Sequence, residues 1–124
     1  MKLYSDEKIL IKTGRFFGIA VGFPFRKDGF MCKKSFKGLT DIYLTNRRIY
    51  AEFLFKIKIL EIPLTSISYF KKEKKFGSRI RIGYIENAEK KEALLFMWEK
   101  DTDKWIEELD KLIKFKYAGS NIVH

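Results

Sequence analysis

The stretch Tyr43-Leu-Thr-Asn-Arg-Arg-Ile-Tyr50 decides which fold this chain can adopt. Apolar and polar residues alternate on both sides of its Thr45-Asn46 centre, and Asn favours tight turns. The pattern predicts a β-hairpin whose arms are Thr40–Thr45 and Arg48–Phe53. Successive side chains of a strand point to opposite faces. Ile49 is therefore expected in the core, and Arg48 is expected in solvent.

Other alternating segments lie on both sides of this hairpin. Further strands are expected over residues 7–13, 16–23, 67–75, 79–85 and 93–98. The odd-numbered face of the second hairpin arm is expected to continue through Phe55, Ile57 and Ile59. After residue 23 the pattern becomes irregular as far as Gly38, and we interpret that segment as a long basic loop. In the strand over 79–85, Ile80 and Ile82 are expected inside, with Arg79 and Arg81 in solvent.

The last part of the chain changes from a period of two to the helical period. Trp105, Leu109 and Leu112 share one row, and Ile106 and Ile113 lie beside it. This apolar stripe predicts an amphipathic helix. Such a helix cannot bury Trp105 alone, so it is expected to cap one open end of a β structure.

The order of these motifs resembles that of a known family. The hairpin is followed by Ile62-Pro-Leu-Thr-Ser-Ile67 and then by the helix that carries Trp105. Over residues 7–117 the chain resembles the GRAM and bacterial pleckstrin-homology-like (PH-like) domains. The resemblance implies a mainly β, GRAM-type small antiparallel barrel of about seven strands with a C-terminal capping helix. It also implies a single domain over residues 1–117 and a flexible tail over 118–124. This family serves membrane binding, protein binding and assembly.

Composition makes an anionic partner the main expectation. The 124 residues carry a formal net charge of +10. Seven basic residues stand against two acidic ones over 26–48, and six stand against one over 71–81. If these two windows share one rim, they form a surface that attracts anions. No leader sequence opens the chain, so a cytoplasmic protein that is peripheral at the membrane is expected.

The resemblance places the binding residues near the open end of the barrel, because the loop after the first strand is commonly basic in membrane-binding PH-like domains. The anionic-ligand candidates are Arg26, Lys27, Lys33, Lys34, Arg47, Arg48, Lys74 and Lys75. The candidates for membrane insertion are Phe23, Phe25 and Phe30.

Residues for enzyme chemistry are scarce in the sequence. The single histidine, His124, is the last residue, and Cys32 is the single cysteine. A fixed general base or an ordinary zinc ligand set is therefore not expected. No glycine-rich phosphate loop matches a known pattern. We expect no catalytic residues, no metal and no cofactor.

Three interpretations of the charge stay open at this point. The first is a non-enzymatic module that binds an anionic lipid surface or a protein partner through a basic rim or a strand edge, with a homo-oligomer as a variant. The second is a small basic β-barrel that binds nucleic acid. The third is that the lysines only keep sheet edges solvated and prevent aggregation.

Overall fold

The chain folds into two antiparallel sheets and one C-terminal helix. The computed structural model describes residues 2–14, 18–25, 29–54, 56–74 and 77–116. The strands and the helix are β1 (Ile9–Gly14), β2 (Gly18–Phe25), β3 (Gly29–Lys37), β4 (Thr40–Thr45), β5 (Arg48–Phe53), β6 (Ile57–Pro63), β7 (Ile67–Lys74), β8 (Ser78–Glu86), β9 (Glu89–Phe96) and α1 (Glu99–Lys116). The expected tail, 118–124, lies outside the described residues.

The strands divide into a four-stranded and a five-stranded sheet. Sheet A has the order β1-β4-β5-β6, and sheet B has the order β3-β2-β9-β8-β7. Every neighbouring pair is antiparallel. The described part of the chain thus forms two sheets around one core rather than the closed barrel that was expected.

The predicted hairpin is confirmed, with its turn one residue later than expected. Strands β4 and β5 have the predicted bounds, and Leu44 pairs with Ile49. Thr45 belongs to β4, and its side-chain oxygen accepts hydrogen bonds from the backbone N–H groups of Arg47 and Arg48, each at 3.0 Å. Ile49 is fully buried, as predicted. A threonine that satisfies the amides across the turn explains why this short loop is stable.

The β1–β4 and β2–β3 ladders have matching registers in the two sheets. Gly14 pairs with Asp41 in sheet A, and Gly18 pairs with Lys37 in sheet B. The residue numbers of each of these two pairs add up to the same total. The chain turns a corner between β3 and β4 at Gly38-Leu39, where both residues have positive φ. The sheets are therefore covalently joined at this corner.

The described residues form nine strands, which corrects the expected count of about seven. Strand β3 lies where the sequence predicted a basic loop. Most of its side chains are exposed on both faces. A strand without a buried face has no alternation of apolar and polar residues, so its sequence cannot be distinguished from a loop.

The expected inward face of β6 is confirmed in part. Ile59 packs against the core, but Ile57 is exposed, and the buried side chains after it are Leu60 and Ile62. A bulge between Ala51 and Glu52 shifts the pairing of β5 with β6. A one-residue shift exchanges the two faces of a strand. Phe55 lies outside the described residues.

The helix completes the core, as predicted. Trp105 and Leu109 are fully buried against apolar residues of both sheets. The Trp105 indole N–H donates to the hydroxyl of Thr13 on β1 at 2.9 Å. This bond satisfies the buried polar atom of the tryptophan and fixes α1 against sheet A. Within the described ranges, no helix combines the length and the apolar character that crossing a bilayer requires.

Candidate anion-binding cleft

An open cleft lies between the two sheets, beside the β8–β9 turn. Its volume is about 710 Å³. Its apolar lining residues include Val21, Phe23, Ile59, Leu60, Pro63 and Ile85, and its charged lining residues are Lys33, Lys34, Lys58, Lys91, Glu61 and Glu86. Apolar walls with a few charged groups are typical of a ligand-binding site.

Strand β3 supplies two adjacent lysines to this cleft because the β2–β3 ladder contains a bulge. Val21 pairs with Lys34, but Gly22 pairs with Cys32, so Lys33 is the extra residue. A bulge redirects side chains locally, and here both lysines reach the cleft lining. Gly22 permits this arrangement, since a Cβ atom there would lie 1.9 Å from the carbonyl oxygen of Met31.

The other two lysines come from β6 and β9. Lys91 pairs across the sheet with Tyr84, which also lines the cleft. Burial, assisted by the charge of Glu86, raises the pKa of Tyr84 to about 12. Its hydroxyl is therefore neutral at physiological pH and adds no negative charge to the cleft.

The charge balance in the cleft is positive. Lys58 bonds Glu61 at 3.2 Å, and Lys91 bonds Glu86 at 2.6 Å. Lys33 and Lys34 are exposed and make no ion pair with any residue that the structure describes. The Lys33 ammonium lies 5.6 Å from the centre of the Phe23 ring, which adds a weak cation–π attraction. Two ammonium groups that have no carboxylate partner among the described residues are thus available to an anion.

The other predicted ligand residues do not join this cleft. Lys74 lies beside Ser78, at the opposite end of β8 from Glu86, and it pairs with Glu99 of the helix. Arg47 pairs with Asp6 at 2.6 Å, and both side chains are substantially exposed. Lys74 and Arg47 are therefore not part of the cleft lining that contains Lys33 and Lys34. Arg26, Lys27 and Lys75 lie outside the described residues.

Arg48 is buried, so its expected position in solvent was wrong. Its guanidinium makes two hydrogen bonds to Glu7, at 2.9 and 3.0 Å, and one to Glu61 at 2.8 Å. It lies between the rings of Tyr4 and Tyr50, with centroids at 4.8 and 4.7 Å. A guanidinium whose donors and faces are all engaged is a structural group, and it is not available to a ligand.

Arg81 is the second buried cation that the sequence placed in solvent. It bonds Glu73 and Glu92 at 2.8 and 2.7 Å, and Arg79 bonds Glu73 at 2.7 Å. Tyr69 donates its hydroxyl to Glu92. The arginines of the second basic window are therefore neutralised within sheet B.

The three phenylalanines proposed for insertion have different environments. Phe23 is half-buried in the cleft lining, and Phe25 is 44% exposed. Phe30 is half-buried, with its ring centre 5.9 Å from the Arg81 guanidinium. Phe23 and Phe25 share one face of β2, whereas Phe30 pairs with Pro24 and so belongs to the other face. Sequence reasoning missed Lys58 and Lys91 as site residues, because no local pattern shows that β6 and β9 end at the same cleft.

Comparison with known proteins supports the fold. No family model matches the sequence, and neither does any curated protein. One similar chain belongs to a solved structure titled "The 8S snRNP Assembly Intermediate", with a TM-score of 0.61 and 10% sequence identity. The match covers 94% of this chain and 89% of that chain. At this identity the likeness concerns the backbone arrangement alone.

Proposed function

We propose that this chain is a non-enzymatic, PH-like binding module that associates with anionic membrane surfaces through the cleft. The main support for this proposal is that four lysines line one cleft although their three strands are distant in sequence. These lysines are Lys33, Lys34, Lys58 and Lys91. Two glutamates oppose them, and each is already bonded to a lysine of the cleft. The hairpin, the Ile62–Ile67 motif and the final helix support the assignment to the PH-like and GRAM-type class.

A diffuse anionic surface fits this cleft better than a deeply bound small anion. The cleft is open, and Lys33 and Lys34 are exposed. Attraction to an anionic leaflet is worth about 1 kcal/mol for each nearby lysine, and it needs no fixed geometry. The apolar lining can in addition contact the boundary between headgroups and acyl chains.

Charge reversal of Lys33 and Lys34 tests this proposal. Lys33→Glu with Lys34→Glu should weaken binding to vesicles containing phosphatidylserine by about 30-fold or more, since two attractive groups become repulsive. The control is Lys100→Glu with Lys104→Glu, which reverses two exposed helix lysines outside the cleft lining. This control changes the net charge equally and should have a much smaller effect.

Co-sedimentation at physiological salt provides the measurement, with neutral phosphatidylcholine vesicles and a single-stranded oligonucleotide in parallel. Equal weakening by both double variants would mean that only net charge matters. Wild-type protein that shows no preference for anionic vesicles would contradict the proposal. Tighter binding to the oligonucleotide than to vesicles would favour the nucleic-acid alternative instead.

A further inference from the structure

Two leucines occupy a backbone conformation that disfavours them. Leu39 has φ 44°, and Leu54 has φ 54°. Left-handed backbone brings a Cβ atom close to the following carbonyl, so Gly and Asn are the usual residues there. A leucine in both turns is not explained by turn geometry.

The two strained turns are in contact with each other. The backbone N–H of Leu54 donates to the carbonyl oxygen of Leu39 at 2.9 Å. Ile57 begins β6 opposite Phe53 and is next to these turns. We call Leu39, Leu54 and Ile57 the leucine corner. Their exposed fractions are 46%, 45% and 54%, so three large apolar side chains face solvent together.

An aromatic pair and exposed lysines lie close to the leucine corner along the chain. The Phe36 and Phe53 rings pack at 5.5 Å on the strands that lead into its turns. Lys37 and Lys56 are exposed, and they lie two residues before Leu39 and one residue before Ile57. Lys58, one residue after Ile57, lines the cleft. An exposed apolar cluster with lysines next to it in the sequence therefore adjoins the site proposed above.

We propose that the leucine corner inserts into the boundary between headgroups and acyl chains when the cleft binds an anionic membrane. This inference rests on the proposed function. A membrane presents an anionic layer over an apolar one, and the corner offers both complementary groups, exposed apolar side chains and lysines next to them in the sequence. The three side chains are exposed, so a soft surface can close around them.

A strain-relieving double variant separates this role from a structural one. Asn tolerates the left-handed region, so Leu39→Asn with Leu54→Asn should leave the melting temperature unchanged or raise it. The same variant should weaken binding to anionic vesicles by about tenfold, since two apolar side chains no longer leave water. The control is Leu10→Asn, because Leu10 is 40% exposed and lies next to Ile9, which pairs with Thr45 at the other end of sheet A.

Insertion is measured directly with a fluorophore on the corner. Leu54→Cys in a Cys32→Ser background, carrying an environment-sensitive dye, should shift to the blue on anionic vesicles and be quenched by brominated acyl chains. Protein that binds vesicles while the dye stays in water would overturn insertion and leave the proposed function standing. The double asparagine variant would overturn insertion if it lost self-association but still bound vesicles. The leucine corner would then contact a second copy of the chain. Absence of vesicle binding by the wild-type protein would contradict the proposed function itself.

Discussion

Arg48→Ala should be among the most damaging substitutions in this protein, although the sequence alone suggests that it is harmless. The Arg48 and Glu7 side chains are 7% and 0% exposed, and the substitution leaves the Glu7 carboxylate buried without its cation. Breaking a buried ion pair in this way costs about 3–5 kcal/mol. That loss is a large part of the roughly 5–15 kcal/mol that stabilises a typical domain.

The pH dependence of the loss identifies its cause. Burial opposes ionisation of Glu7, but the hydrogen bonds from Arg48, Thr45 and Tyr4 outweigh it and lower the pKa of Glu7 from 4.5 to about 2. A lowered carboxyl pKa gives stability that is fully present above pH 4.5 and is lost as pH falls through about 2. Without Arg48, burial raises the pKa of Glu7, and protonation relieves the buried charge. The difference in stability between wild type and variant should therefore shrink as the pH falls from 7 to about 3.

Urea unfolding at several pH values measures this effect, with Arg47→Ala as the matched control. Arg47 is the adjacent residue, and its ion pair with Asp6 has side chains that are 46% and 73% exposed. Loss of such a surface pair should cost no more than about 1 kcal/mol. Similar losses for Arg47→Ala and Arg48→Ala, or a difference that does not change with pH, would refute the argument that Arg48 is held by buried charge.

Two further predictions concern packing, and both can be measured by chemical denaturation. Trp105→Ala should lower the free energy of unfolding by about 3–5 kcal/mol, because the side chain is fully buried. Trp98 is 61% exposed, so Trp98→Ala should lower it by less than about 1 kcal/mol. Equal losses would contradict the role of α1 as a cap. Gly83→Ala should destabilise the fold, because a Cβ atom there would lie 2.1 Å from the Tyr69 ring, and Tyr69→Ala in the same chain should relieve that clash. If the added Tyr69→Ala gave no recovery, the ring would not be the source of the cost.

Elements whose core-facing side chains are apolar at a regular period could be predicted from the sequence. The β4–β5 hairpin and helix α1 have the expected positions because each has a period that matches its structure. Strand β3 could not be predicted, since it has no buried face to produce a pattern. The same reasoning explains why the cleft was only partly predicted. Lys33 and Lys34 were expected as ligand residues, but their association with Lys58 and Lys91 depends on contacts between distant strands.

The burial of Arg48 and Arg81 had no local signal at all. Alternation correctly separates the two faces of a strand, but it does not show whether another segment covers the outer face. The segment before β1 supplies Tyr4 and Glu7 to Arg48. Phe30, from the β2–β3 hairpin, lies over Arg81. Both covering segments are distant in sequence from the arginine that they cover, so only the tertiary structure shows the burial.

The division of work between arginine and lysine links the fold to the proposed function. Each arginine that the structure describes, Arg47, Arg48, Arg79 and Arg81, is paired with a carboxylate. The cations of the cleft, by contrast, are all lysines. A guanidinium has a rigid fork that suits one fixed partner, whereas an ammonium is a hydrated point charge on a flexible stem. The arginine guanidinium groups therefore stabilise the packing within the sheets and hold the N-terminal segment in place. The point charges suit a fluid surface, where anionic groups have no fixed orientation. The affinity of a cleft built from lysine should therefore depend more on the density of negative charge than on the shape of a headgroup.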